Sequence, residues 1–249
     1  MEGFVEFMAS PWGIAIFTVV AVAIVVFFFA VNYRFFAKSV LDFIFALLAL
    51  IVLSPCIGVC AAILKKKCGT VFERVWAVGK GGRPVQLHLF CGYQTEEGGQ
   101  CYIRRSAIMY FPLLADVLSG KLSIVGPTAL ALRDGAVIPE QFDRRFSVRP
   151  GIFSPAVTAY PSKPSFEEMF AFDCNYAAGR TLLTDVRTVF TYALRAVRGE
   201  GYSLVTLGRA GLAEHMLENG ELTPEQFAET ENIASEEVAS AARAKMRVS

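Results

Sequence analysis

The sequence predicts an α/β membrane protein with an N-terminal transmembrane helix, a re-entrant membrane helix, a cytoplasmic α/β domain and a helical C-terminal appendix. Two long apolar segments lie within the first 64 residues. Hydrophobic residues make up 54% of the chain and charged residues only 19%, which is more apolar than an ordinary soluble domain. After the second segment, hydrophobic residues recur first with the period of strands and then with that of helices.

The first apolar segment, residues 13–31, predicts a transmembrane helix. It contains no charged residue, and a helix of this length spans roughly 28 Å, about the thickness of a bilayer core. Trp12 and Tyr33 flank it as aromatic residues typical of a membrane interface. A signal peptide is the alternative, but it requires a basic N-terminal region, whereas the first ten residues carry Glu2 and Glu6 and no Lys or Arg.

The charges around the two segments predict their orientation. Arg34 and Lys38 follow the first helix, so the positive-inside rule places the N-terminus outside and the following chain in the cytoplasm. Three lysines, residues 65–67, follow the second segment, residues 39–64, so both of its flanks are basic. A segment that enters the membrane and returns to the same face keeps both flanks in the cytoplasm.

The dipeptide Ser54-Pro55 lies inside the second segment. Because a proline removes a helix hydrogen bond and can bend the chain, we predict a re-entrant helix–break–helix with its break at Ser54-Pro55. The alternative is a second full span with a proline kink, which would leave three lysines outside.

The following domain begins with strand signals and continues with helix signals. Residues 70–78 and 85–91 alternate as strands do around a glycine-rich turn, which predicts a β-hairpin. An apolar helix is predicted between residues 104 and 118, with its start near Phe111-Pro112. A second one is predicted over residues 183–197.

The helix predicted over residues 183–197 has basic residues on one side, and capping residues indicate the start of a further helix near residue 223. Arg187, Arg195 and Arg198 predict either contact with anionic lipid or a solvated face. Thr223-Pro224-Glu225-Gln226 is a helix-capping pattern, and residues from about 206 onward are predicted to be a helical extension. The chain is therefore predicted to consist of an N-terminal transmembrane helix (residues 1–33), a domain that includes the re-entrant helix (residues 34–205) and a helical C-terminal extension (residues 206–249).

Composition excludes several other classes of protein. The net charge of +1 gives no global field that would favour nucleic acid. Six cysteines are present without the spacing of a disulfide framework, which predicts a reduced, cytoplasmic setting. His88, Cys91, Cys101 and His215 match no zinc-binding spacing.

Several short strings occur along the chain in a fixed order. They are Leu41-Asp42, Ser54-Pro55, Val78-Gly79-Lys80, Gly82-Arg83-Pro84, Pro112-Leu113-Leu114, Asp116-Val117-Leu118-Ser119-Gly120, Leu122-Ser123-Ile124-Val125-Gly126-Pro127, Val148-Arg149-Pro150-Gly151-Ile152, Asp173 with Tyr176, and Asp185. Over roughly residues 34–200, this ordered set resembles the bacterial sugar transferases, or monotopic polyprenyl-phosphate phosphoglycosyl transferases.

The resemblance implies a known chemistry and a location in the bacterial inner (cytoplasmic) membrane, with the soluble domain facing the cytoplasm. Such enzymes move a phosphosugar from a nucleotide sugar to polyprenyl phosphate. An Asp carboxylate attacks the β-phosphate and forms a covalent intermediate, and an adjacent Glu and a magnesium ion assist. The carboxylate supplies the nucleophile, while cations offset the phosphate charge.

This sequence departs from the family at the residues that carry the chemistry. The Asp-Glu pair, which should lie just before Phe111-Pro112, is replaced by Met109 and Tyr110. A thioether cannot form the phosphoryl ester, and a tyrosine with a reference pKa of about 10 is a poor base at neutral pH.

Groups that would face phosphate are replaced as well. Cys91 and Thr128 stand where the resemblance implies arginines, and Val75 and Ala77 stand where it implies a Gln and an Arg. Because the architectural strings survive, we predict a catalytically inactive member of the family. No cofactor is expected, and magnesium would be needed only by an active chain.

Two cations and four carboxylates remain as candidate site residues. Lys80 and Arg149 are candidate ligand-binding residues, and Arg149 is as well suited to holding a local turn. A relocated nucleophile is the alternative to inactivity, and its candidates are Glu96, Glu97, Asp116 and Asp173.

The predicted role is that of a partner or scaffold for an active phosphoglycosyl transferase in polysaccharide or glycoconjugate assembly. The expected partners are membrane lipid and either such a protein, another glycan-assembly enzyme or further copies of this chain, but no nucleic acid. The alternatives are an active transferase with a relocated nucleophile and a sensor of lipid phosphate or nucleotide sugar. A sensor needs phosphate-binding cations, and most of those are replaced.

Overall fold

The computed structural model describes residues 10–91, 107–160, 165–198 and 211–246. The chain divides into two compact units between Leu41 and Asp42. The first unit contains helix α1 (Pro11–Asn32), a π-helical turn (Tyr33–Ala37) and the first residues of helix α2 (Lys38–Cys68). The second unit contains the rest of α2 and all later elements.

Helix α1 coincides with the predicted first apolar segment. Ser10 caps it, because its Oγ accepts a hydrogen bond from the Gly13 amide at 3.1 Å, and Pro11 occupies the first helical position. Its stretch Pro11–Ile24 is an apolar helix. The helix is therefore confirmed, whereas its crossing of the membrane stays a prediction.

Helix α2 is long and apolar enough to cross a membrane, and within the described ranges it is the one helix that meets this standard. It continues through Ser54-Pro55, both of which are exposed, and the Ser54 hydroxyl donates to the Ile51 carbonyl at 2.8 Å. The expected interruption thus does not end the helix, since a proline removes one backbone donor and an apolar helix can tolerate that loss.

Both ends of α2 contact the same soluble domain. Near its start, Asp42 accepts a 2.5 Å hydrogen bond from the Ser123 hydroxyl, and Ala46 is fully buried in the main hydrophobic cluster of the domain. Near its end, Leu64 is fully buried against Phe90. A straight helix separates positions 46 and 64 by about 27 Å, so a helix normal to the bilayer would hold these two ends near opposite faces. The return of both flanks of α2 to one face of the membrane stays a prediction.

Thiol labelling tests this topology. Single cysteines at Phe36 and Lys67, in a background without native thiols, should react with an impermeant maleimide from the same side of the membrane, because both flanks of α2 are basic. Labelling from opposite sides would establish a full span and contradict the re-entrant topology.

The predicted hairpin is confirmed. Strand β1 (Phe72–Val78) pairs antiparallel with β2 (Pro84–Phe90), in a register that places Phe72 opposite Phe90 and Val78 opposite Pro84. The 3₁₀ turn Lys80–Gly82 joins them. Gly81 and Gly82 have φ values of 70° and 72°, a region that favours glycine, which is why this turn is glycine-rich.

A second, parallel pair of strands was not predicted. Strand β3 (Ser123–Val125) pairs with β4 (Gly151–Phe153), so that Ser123 lies opposite Gly151. A side chain on Gly151 would overlap the backbone of Gly126. The two strings that contain these glycines therefore keep a close backbone approach, and both strands are too short to show a period.

The remaining elements are helices and 3₁₀ turns. The helices are α3 (Leu113–Leu118), α4 (Leu132–Ala136), α5 (Pro155–Ala159), α6 (Phe166–Gly179), α7 (Leu182–Val197), α8 (Leu212–Glu218) and α9 (Pro224–Met246), and the 3₁₀ turns are Ala107–Tyr110 and Glu140–Ser147. The helix predicted over residues 183–197 and the start predicted at Thr223 are confirmed. At that start, the Gln226 amide donates to Thr223 Oγ1 at 3.2 Å, and the Thr223 amide donates to Gln226 Oε1 at 2.9 Å.

The C-terminal extension packs on the domain that precedes it. Leu212 and Met216 pack in a cluster with Leu130, Met169 and Phe170. The buried carboxylate of Asp134 accepts a hydrogen bond from the Ala213 amide at 3.1 Å, at the start of α8. Much of the apolar face of the extension is therefore engaged within the chain.

Candidate functional site

Met109 and Tyr110 lie in the 3₁₀ turn Ala107–Tyr110, just before α3. Both side chains are half-buried and pack against the main hydrophobic cluster. The buried members of that cluster are Ala46, Ala77, Leu87, Leu89, Leu113, Val117, Leu122, Ala129, Ile152 and Tyr192. The place of the expected carboxylate pair therefore borders an apolar core.

The other replaced positions share this character. Ala77 is fully buried in the main cluster, and Val75 packs against it. Thr128 is buried, and its hydroxyl donates to Ser154 Oγ at 2.8 Å. Charged side chains at positions 75, 77, 109 and 110 would each meet hydrophobic neighbours, where an unpaired charge is costly.

Asp116 ties helix α3 to the hairpin. Its carboxylate, 2% exposed, accepts hydrogen bonds from the His88 amide at 2.7 Å and from Lys121 Nζ at 2.7 Å. His88 Nδ1 lies 3.0 Å from the same carboxylate. Lys121 Nζ also donates to the Gln86 carbonyl at 2.9 Å. Asp116 is thus engaged as an acceptor for two elements and is poorly placed to act as a nucleophile.

Asp173 forms a buried ion pair with Arg145. Arg145 Nη2 donates to Asp173 Oδ2 at 2.8 Å and to the Thr128 carbonyl at 2.9 Å. The Thr128 amide donates to the same carboxylate at 3.2 Å, and the guanidinium lies 4.6 Å from the centroid of the Phe170 ring. This pair links the 3₁₀ turn Glu140–Ser147 to α6 and fixes the segment at Thr128.

Burial dominates the acid–base behaviour of this pair. Desolvation raises the pKa of Asp173 to about 6, although Arg145 and the Thr128 amide act in the opposite direction. Desolvation likewise lowers the pKa of Arg145, partly offset by Asp173. A small cleft beside Arg145, with room for about one water molecule, is lined by Gly79, Pro127 and Pro150 among others. Three family strings therefore meet at one cleft, next to a buried cation.

The two candidate ligand-binding cations occupy different settings. Lys80 is exposed in the hairpin turn. Arg149 is half-buried, and its Nη1 lies 3.9 Å from the position that a side chain on Gly120 would occupy.

The rival residues are not assembled into a site by the described part of the chain. Glu96, Glu97 and Cys101 lie outside the described residues. His88 is engaged with Asp116, and His215 packs against the Phe166 ring at 5.6 Å between centroids. Within the described ranges, no group of three or more His, Cys, Asp or Glu residues is arranged to hold a metal ion. That the chain needs no cofactor stays a prediction.

Residues 33–199 match the model of the family described as bacterial sugar transferase, a range close to that of the ordered strings. The chain belongs to the bacterial sugar transferase family. This match covers more than half of the chain and leaves the C-terminal extension outside it. The helix α2 and this family membership together indicate a membrane location.

Three curated relatives carry consistent names. A Xanthomonas campestris pv. campestris protein named UDP-glucose:undecaprenyl-phosphate glucose-1-phosphate transferase is 25% identical over 67% of this chain. The chain spans 40% of the length of that relative. The uncharacterized sugar transferase EpsL of Bacillus subtilis (strain 168) is 26% identical over 66% of this chain and 89% of its own. The exopolysaccharide production protein PSS of Rhizobium leguminosarum bv. phaseoli is 25% identical over 66% of this chain and 98% of its own.

Sequence reasoning missed a deeply buried cation of this sugar transferase domain. Arg145 does not stand out in the sequence, because a single arginine in a polar stretch carries no period or spacing that distinguishes it from a surface residue. The roles of His88 and Lys121 were also missed, because His88 contacts Asp116 across 28 positions and Lys121 contacts the Gln86 carbonyl across 35. Asp173 belongs to a family string, but the string does not reveal its partner.

Proposed function

We propose that this chain is a non-catalytic member of the bacterial sugar transferase family that binds and positions an active phosphoglycosyl transferase in the inner membrane. The names of its relatives favour a role in polysaccharide or glycoconjugate assembly. In this arrangement the soluble domain faces the cytoplasm, as the basic flanks of α2 suggest.

The apolar filling of the catalytic position carries this proposal. Met109, Tyr110 and Val75 pack against the main hydrophobic cluster, and Ala77 lies in it. A single lost carboxylate would leave the surrounding polar site in place. Here apolar side chains occupy positions 75, 77, 109 and 110, in or against that cluster, which favours stability and disfavours the binding of a charged diphosphate there.

The retained carboxylates do not favour relocated catalysis. Asp116 accepts hydrogen bonds from His88 and Lys121, and Asp173 accepts hydrogen bonds from Arg145 and Thr128. A nucleophile must reach the phosphorus atom with its lone pairs available, whereas these oxygens already accept hydrogen bonds.

The first helix is the better candidate for contact with a partner. The described side chains of α1 include Phe17, Val19 and Phe27, which are 61%, 68% and 70% exposed. Gly13, Ala15, Ala21 and Ala23 offer small positions for close helix packing. The extension contributes less, because Leu212 and Met216 pack within the chain.

Capture from mild detergent tests this role. The tagged full chain, co-expressed with a transferase that keeps the Asp-Glu pair, should retain that transferase through purification. Exchanging residues 13–31 for an unrelated apolar span should reduce the captured amount severalfold. The matched control is Ile233→Glu, a change at a half-exposed position of α9 that should leave capture unchanged.

Recovery of the chain as a monomer in several mild detergents, with that transferase present, would contradict the partner role. Sensing of lipid phosphate or nucleotide sugar would then be the better proposal, with Lys80, Arg149 and the cleft beside Arg145 as its starting points.

A further inference from the structure

His88 is held by a buried carboxylate and still reaches the surface of the domain. Its neighbours on β2, Leu87 and Leu89, are buried in the main hydrophobic cluster, so the His88 side chain lies on the other face of the hairpin. Its Nδ1 lies 3.0 Å from Oδ1 of Asp116. The Asp116 side chain is 2% exposed, whereas that of His88 is 33% exposed. The imidazole is therefore fixed at one edge and accessible from solvent.

The contact with Asp116 decides which ring nitrogen of His88 is reactive. A carboxylate can only accept hydrogen bonds, so Nδ1 carries the hydrogen, and the neutral ring keeps a free lone pair at Nε2. Among the described residues, none is placed as a hydrogen-bond partner of Nε2. An imidazole oriented in this way is suited to bind a metal ion or to act as a nucleophile.

Two cations beside His88 distinguish between these roles. Arg74 is exposed and lies directly opposite His88 in the β1–β2 register, where side chains on one face of the hairpin are neighbours. On the other side, Lys121 Nζ lies 2.7 Å from the same Asp116 oxygen. These positive charges disfavour a metal cation at Nε2, whereas they would stabilise a phosphoryl group bound there.

We infer that His88 is a phosphorylation site, at which Nε2 accepts a phosphoryl group from a protonated phosphoramidate donor (a class that includes phosphohistidine). The Nε2 lone pair forms the new bond to phosphorus. The P–N bond of the donor breaks, and the donor nitrogen leaves with the electron pair of that bond. The product ring carries phosphorus at Nε2 and hydrogen at Nδ1, and its positive charge faces Asp116, as an imidazolium faces the aspartate of a catalytic triad.

The modification would change the surface of the hairpin that faces away from the main hydrophobic cluster. A phosphoryl group adds roughly two negative charges and three strong acceptor oxygens. These oxygens would compete with Asp116 for Lys121, whose Nζ also donates to the Gln86 carbonyl at 2.9 Å. The site is independent of the proposed partner role, because it uses neither α1 nor the position of the missing carboxylate pair.

Chemical phosphorylation of the full chain tests this inference with an internal reference. His88 and His215 are the two histidines of the chain, and His215 Nε2 lies 3.2 Å from Asn219 Nδ2. The chain in nanodiscs is incubated with phosphoramidate at neutral pH, and each site is quantified by mass spectrometry under alkaline handling, because the N–P bond is labile in acid. His88 should be modified several-fold faster than His215, and phosphorus NMR should show the Nε2 isomer at His88.

Three variants separate the oriented imidazole from simple exposure. Asp116→Asn should slow phosphorylation of His88 several-fold and leave that of His215 unchanged, because the amide lacks the negative charge that faces the product ring. Lys121→Gln keeps the contact between His88 and Asp116 and should lower the rate at His88 to a smaller extent. The matched control, Arg243→Gln, removes one exposed positive charge from α9 and should leave the rate at His88 unchanged.

The thermal unfolding midpoint of each variant shows whether it keeps its fold, and Lys121→Gln decides alone if Asp116→Asn does not fold. Equal rates at the two histidines of the original chain, or a label at Nδ1 of His88, would overturn the inference. A rate at His88 that the folded variants at positions 116 and 121 do not lower would overturn it as well, and would leave His88 as a structural contact of Asp116.

Discussion

Replacing Arg145 with leucine should destabilise the soluble domain by about 3–5 kcal/mol, the usual cost of leaving one member of a buried ion pair alone. The side chains of Arg145 and Asp173 are 1% and 0% exposed, so water cannot take the place of the lost partner. The change also removes the donor to the Thr128 carbonyl and the contact with the Phe170 ring. Thermal unfolding in nanodiscs measures the loss as a lower midpoint.

The pH dependence of this variant should separate an unpaired charge from lost packing. Burial already raises the pKa of Asp173 to about 6 beside Arg145, and removing the guanidinium removes an influence that lowers it. The native state of the variant then binds a proton more tightly than the unfolded state does, so its stability falls as pH rises. The deficit relative to the original chain should therefore grow between pH 6 and pH 8.

A double change provides the control. Arg145→Leu with Asp173→Leu removes both charges and should be more stable than Arg145→Leu alone, because no unpaired charge remains. A deficit for Arg145→Leu that does not change with pH, together with no recovery in the double variant, would show that the pair matters through packing alone.

The elements that sequence reasoning placed correctly are those with a local signal. The β-hairpin shows a two-residue alternation over two strands and a glycine turn, and both strands appear in the expected order. Thr223 and Gln226 cap α9 as their spacing predicts. In these cases, the residues that decide the structure lie within a few positions of one another.

The features that were missed depend on residues far apart in sequence. The β3–β4 pair joins Ser123 to Gly151 in strands too short to show a period. Arg145 and Asp173 meet only because two helical segments pack together. The sequence alone does not decide whether the basic side of α7 faces lipid or solvent, because the exposure of a side chain is a property of the folded domain. In the structure, Leu183 and Val197 are 78% and 87% exposed.

One part of the candidate site could be predicted from the sequence, and another part is visible only in the structure. The family strings alone identify the position of the missing carboxylate pair, because they follow one another in a fixed order along the chain. That Met109 and Tyr110 belong to the same apolar cluster as Ala77 and Leu89 is visible only in the fold. The replacements at positions 77, 109 and 110 therefore share one apolar environment.

The loss of the nucleophile should have the largest effect on activity. Removing a catalytic nucleophile commonly lowers turnover on the order of 10⁴- to 10⁶-fold. Here its neighbour and the expected phosphate-facing groups at Cys91 and Thr128 are replaced as well. Restoring Asp and Glu at positions 109 and 110 should therefore not create activity, and two carboxylates against the main cluster should also destabilise the domain.

The release of nucleoside monophosphate from nucleotide sugars is the measurement that tests the central claim most directly. The purified full chain, supplied with polyprenyl phosphate and magnesium, should release none above background, at least about 10⁴-fold below a relative that keeps the carboxylate pair, assayed in parallel. Clear turnover by the purified chain that is abolished by Asp116→Asn, Asp173→Asn, Glu96→Gln or Glu97→Gln would contradict the account and establish a relocated nucleophile.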